Sequence, residues 1–297
     1  MICNIIDAII TSLSCKENWQ MIIIPILAPV ATIIGTYTLT TYKINRDQKS
    51  RKLENEKSLK NEKKDILDSI DLMVLLANQH LESINSMKNG ISFDVFKINS
   101  LAIFANEPLI FLNQIPKSKL DLIFDRHEIV EQEKLLVYGN FLTSRQLLLQ
   151  LYKSLDAWNE QYRIKHEQLT ANFSDALLNL LNYLEVISFD NHCNKKIKTL
   201  FTDFLNEHQQ YTISARLKNE SEITIVDNLV YSLVKKMKED GFYFELEDFQ
   251  KHYIKIESMI ISIKSFCHNN QIFLSRIEEA INKQIEQMRI FDSTFEM

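Results

Sequence analysis

Glycine and proline are nearly missing from these 297 residues, at four each. Sheets, hairpins and phosphate-binding loops take their turns from those two residue types, so their scarcity argues for helices. Gly35, Gly90, Gly139 and Gly241 are scattered, and no Gly-rich nucleotide cradle can be assembled from neighbouring positions. Cysteine is equally sparse. Cys3, Cys15, Cys193 and Cys267 show no CxxC spacing and read as reduced thiols rather than a disulfide framework.

Chemistry motifs are lacking too. There is no GxSxG, no P-loop and no Ser/His/Asp grouping that a spacing rule would single out. "HEIVE" (His127, Glu128, Glu131) has the look of a zinc-protease helix without its second histidine. In the pairs His192–Cys193 and Cys267–His268, adjacent helical side chains diverge by about 100°, which keeps both from one ion. The expectation is a non-enzymatic protein with no catalytic residue, metal or cofactor.

Charge is absent from Met21 to Tyr42, a run of 22 residues. At 1.5 Å per residue such a helix measures roughly 33 Å, enough for a hydrocarbon core of about 30 Å. Trp19 stands at one edge, and Tyr37 and Tyr42 near the other, as interfacial aromatic belts do. Pro25 and Pro29 are tolerated in such a span, with a kink. The segment 19–42 is therefore expected to be a single transmembrane helix.

The flanks orient it. Residues 1–20 carry only Asp7, Lys16 and Glu17, whereas residues 43–64 hold nine basic residues, beginning with Lys43 and Arg46, against four acidic ones. The positive-inside rule places the N-terminus outside and the C-terminal bulk in the cytoplasm, so the inner membrane is the expected location. MICNIID has no basic n-region, which argues against a cleaved signal peptide. Residues 1–18 form a separate segment, where Ile2, Ile5, Ile6, Ile9, Ile10 and Leu13 recur at helical spacing and suit an interfacial helix.

Within the span, Ala28, Thr32, Thr36 and Thr40 make an i, i+4 row with Gly35 beside it. Small residues let helix backbones approach and threonine hydroxyls can bond across helices, so this row is the expected packing or pore face. Beyond it, 43–65 reads as a solvated basic helical stalk, with Asp47–Arg51 and Glu56–Lys60 in favourable i, i+4 order. Topology and anionic lipid account for its basic excess. The whole chain is −5 and residues 1–42 are −1. With +5 on 43–64, residues 65–297 carry −9. Such a charge repels a phosphate backbone, so no nucleic acid is expected.

Residues 66–297 are expected to form a cytoplasmic helical bundle. Ile66, Ile70, Met73, Ala77, Leu81 and Ile84 share a face that ends at Asn89–Gly90. Pro108 and Pro116 cut the next stretch into short pieces. A long helix is expected from about Glu128 to His166, then another capped by Ser174 and carrying Leu177, Leu181 and Leu184. Ile197, Phe201 and Phe204 mark a further helix, and the one after it should stop at Gly241 behind Lys235, Lys236 and Lys238. Last comes a heptad seam: Leu246, Tyr253, Ile260, Cys267, Leu274, Ile281 and Met288, with Phe249, Ile256, Ile263, Asn270, Ile277, Gln284 and Phe291 three further on. Extra apolar residues widen that face, which favours packing within the chain. "CHNNQ" leaves open a break into a hairpin.

One short span followed by "YKINRDQKSRKLENEKSLKNEKKD" and a large helical region resembles uncharacterised bacterial membrane-anchored helical proteins of phage-defence and mobile gene islands. That resemblance implies an antiviral-defence effector held quiet in the membrane, whose spans cluster and breach the bilayer when a partner senses infection. A membrane-tethered interaction or scaffold module that docks a cytosolic partner is the alternative. Either way the expected partners are the lipid bilayer and a protein, the latter another protein or a second copy.

Overall fold

The computed structural model describes residues 24–93, 96, 101, 106–124, 131–218 and 222–295, and of the side chains within those helices it leaves out 24–31, 214–218 and 222. Every regular element among the described residues is helical. They are α1 (Ile24–Gly90), α2 (Glu107–Gln114), α3 (Lys117–Ile123), α4 (Gln132–Phe189), α5 (Lys195–Lys218), α6 (Glu222–Glu239), a 3-10 turn (Phe242–Phe244) and α7 (Glu247–Phe295). The chain divides into two compact units, the first ending at Asp65 and the second beginning at Ile66. Among the described residues no helix is long and apolar enough to cross a membrane.

The second unit is built on α4 and α7, which lie antiparallel along each other. Three pairings fix the register: Tyr162 stacks on Phe266, Trp158 Nε1 donates to Asn270 Oδ1 at 2.7 Å, and Asn140 Nδ2 donates to Gln287 Oε1 at 2.8 Å. α7 is one unbroken helix of 49 residues, so "CHNNQ" makes no hairpin. Its seam residues Phe249, Ile256, Ile260, Ile263, Cys267, Leu274, Ile277, Ile281, Met288 and Phe291 are buried, largely against α4. Of the apolar residues that widen the face, Met259 and Phe273 are half-buried and Ile261 and Ile272 are exposed, so packing within the chain covers the seam and not the whole breadth.

α4 differs from expectation. It is a single helix of 58 residues, and Ser174 lies in its interior, exposed and capping nothing. No proline or glycine follows Gly139 to stop it, and Leu169, Phe173, Ala176, Leu180 and Leu184 carry the buried stripe straight through. Its start falls at Gln132; the expected start at Glu128, with His127, lies outside the described residues.

Residues 66–90 of α1 lie parallel to α4. Ile66, Ile70, Met73, Ala77, Leu81 and Ile84 are buried, and the His80 ring meets Tyr152 edge-on at 4.9 Å. Asn85 Nδ2 and Lys88 Nζ both donate to the Glu278 carboxylate of α7, and the lysine's hydrogen bond holds that carboxyl below its usual range. The prolines act as expected: Pro108 sits in the first turn of α2 and Pro116 precedes α3. Asn106 caps α2, its Oδ1 accepting from the Leu109 N–H at 3.0 Å. At the far end of the unit α5 packs on α4, and α6 on α5. Gly241 ends α6 at φ 80°, the left-handed conformation that glycine adopts without strain.

Candidate functional site

The residues singled out in the sequence fall on α1. Trp19 lies outside the described residues, and Ala28 is placed only as helical backbone. From Thr32 to Ser58 every side chain is exposed except that Gly35 is half-buried. Ile33, Ile34, Tyr37, Leu39 and Tyr42 stand more than half open, with Tyr37 at 72%. In the described part of the uncharged stretch, residues 32–42, the apolar side chains are therefore exposed. Lys43 and Arg46 follow directly, also exposed.

The threonine row is not a row of free hydroxyls. Thr40 Oγ1 donates to the Thr36 carbonyl at 2.6 Å, and the neighbouring Thr38 Oγ1 donates to the Ile34 and Gly35 carbonyls at 2.9 and 3.0 Å. Such back-bonding satisfies the donor inside its own helix and lowers the cost of placing a threonine against hydrocarbon. Thr36 and Thr32 share the face with Thr40, one and two turns before it. Gly35 leaves an open surface: a Cβ added there meets nothing within 4 Å.

The second unit holds polar side chains in its core, each with a distinct job. The polar exceptions of the heptad seam are both paired across the helices, Asn270 with Trp158 and Gln284 Oε1 with Ser144 Oγ at 2.9 Å. Arg145 is 5% exposed and spans to the end of α2, where Nη1 donates to the Leu112 and Ile115 carbonyls at 2.6 and 3.0 Å. Those carbonyls are among the four left over at a helix C-terminus. Burial lowers the Arg145 pKa from its usual value. His166 is 4% exposed, stacked on Phe96 at 4.1 Å, and burial lowers its pKa. Neither Arg145 nor the His166 ring was singled out for its chemistry in the sequence: a lone Arg or His on a helical stripe carries no signal until its neighbours are known.

Of the two cysteine–histidine pairs, only Cys267–His268 lies on a helix. Cys267 is buried in the seam while His268 is exposed, and Cys193 sits in the turn after α4. Burial pushes the Cys267 thiol up to about 11, which leaves it protonated and a poor nucleophile at neutral pH. Among the described residues no group of three His, Cys, Asp or Glu side chains could hold a metal ion. Comparisons with protein-family models, with curated proteins and with solved structures found no match.

Proposed function

We propose that the chain is a single-pass membrane protein of the inner membrane, N-terminus outside, acting through protein contacts and not by catalysis. The observation that carries this reading is the exposure of Ile33, Ile34, Tyr37, Leu39 and Tyr42 on an uncharged helical stretch that a basic stretch follows directly. Exposed apolar area of that extent is costly in water, about 25 cal/mol per Å2, and a bilayer removes it. Residues 21–23, which begin the uncharged run, lie outside the described residues, and with them the run reaches spanning length.

In this reading the protein is an antiviral-defence effector whose spans cluster through the face of Ala28, Thr32, Gly35, Thr36 and Thr40 and so breach the bilayer. Induction of the full chain in a bacterial host, followed with a membrane-potential dye, tests it. Depolarisation is expected from the native chain and not from one whose span is replaced by poly-leucine.

The back-bonded hydroxyls of Thr38 and Thr40 favour a second reading, in which the span only anchors and the bundle docks a cytosolic partner. Threonines whose donors are satisfied in their own helix face lipid without requiring a polar neighbour. Absence of depolarisation from both chains supports that reading or an effector held quiet by its partner.

A further inference from the structure

Charge along the first unit is distributed unevenly. Residues 43–53 hold Lys43, Arg46, Lys49, Arg51 and Lys52 with Asp47 as their single acid, whereas 54–64 mix four lysines with three glutamates. A stalk that needed only hydration would interleave its signs throughout, as the later stretch does. All five cations are exposed, and none is tied in an ion pair to a described residue; the expected pair Asp47–Arg51 does not close.

Their angular placement matters. At 100° per residue, and taking Lys43 as zero, Arg46, Lys49, Arg51 and Lys52 stand at about 300°, 240°, 80° and 180° around the helix. This is a collar with no neutral side. A partner protein presenting one acidic face would engage at most half of it. A plane of headgroups through which the helix passes meets every member. The collar is also short: Lys43 to Lys52 rises about 14 Å, so its first members stand at headgroup depth and its last stay near a Debye length of the surface. Long lysine and arginine stems let the outer members reach back toward the lipid.

We propose that Lys43, Arg46, Lys49, Arg51 and Lys52 form a docking collar for anionic lipid headgroups, recruiting them around the emerging helix. This rests on the reading of the preceding residues as a membrane span. The test is full-length protein reconstituted in vesicles of equal parts phosphatidylcholine and phosphatidylserine, with spin-labelled versions of each lipid reporting the relative occupancy at the protein. Both leaflets have the same composition, so orientation does not affect the result. A severalfold preference for the serine lipid is expected, falling toward one in high salt. The preference should vanish when all five residues are changed to glutamine and persist when Lys43, Lys49 and Lys52 become arginine. Carbonate extraction of the same vesicles reads insertion separately. A protein that resists extraction but shows no lipid preference, or whose preference survives the glutamine changes, overturns the collar and leaves the span intact. A protein that carbonate strips from the vesicles overturns both.

Discussion

At His166 the ring lies against Phe96, which itself meets Phe266 of α7, while Tyr162 stacks on that same Phe266. Among the described residues the titratable groups that meet or act on this ring are Tyr162 and Glu167 on its own helix; Glu167, on the exposed side, is engaged with Arg163. Burial therefore lowers the folded-state pKa below the unfolded value of about 6.5. Between those two values the unfolded chain binds more protons, so stability falls as pH drops below about 6.5 and the loss levels off below the folded pKa. His166→Phe keeps the stacked ring and should flatten this dependence; urea midpoints measured between neutral and mildly acid pH would show it. An unchanged slope would place the acid sensitivity elsewhere. Arg145→Met is expected to cost about 1–3 kcal/mol, because the buried Leu112 carbonyl and the partly buried Ile115 carbonyl at the end of α2 lose their donor. Chemical denaturation reads that cost, and a loss within error would show that water replaces the guanidinium.

Among the elements, α4 and α7 carry the second unit, and their aromatic end shows how. Phe141 and Phe291 stack at 4.0 Å, with Phe124 edge-on to Phe291 at 5.0 Å. Both stacked rings are fully buried, so Phe291→Ala should lower stability by about 3–5 kcal/mol, measurable as a shift of the thermal or urea midpoint. A small shift would mean the cavity collapses. For α1 the expected outcome concerns association. Thr32→Ile with Gly35→Ile should weaken self-association in a membrane two-hybrid assay. Because a Cβ at Gly35 meets nothing in the chain itself, a lost signal reports a neighbouring helix rather than an internal clash. An unchanged signal would remove this face as a contact.

Among the described residues the buried hydrophobic side chains belong to the second unit, whereas residues 33–53 of α1 in the first unit expose theirs. Removing residues 1–42 should therefore leave a soluble helical fragment, with the circular dichroism of an all-α protein and a monomeric or low-oligomer elution. A fragment that pellets as aggregate would show that the bundle exposes more apolar surface than these helices bury.

Much of this was legible in the residues. Scarce glycine and proline, apolar periodicity and the stop at Gly241 are local properties, set by backbone freedom and by which side of a helix repels water. They specify helices, most of their ends and their buried faces. The continuity of α4 through Ser174 was missed because a serine caps a helix only where the chain needs a start, and packing against α7 and α5 held the helix on. Asn270 and Gln284 read as flaws in a seam until Trp158 and Ser144 supplied their partners from residues more than a hundred positions away. The same holds for Arg145 on the carbonyls of α2 and for His166 against Phe96. A pattern along the chain shows which face is apolar, whereas a hydrogen bond or a ring stack between distant residues exists only once that face has met another.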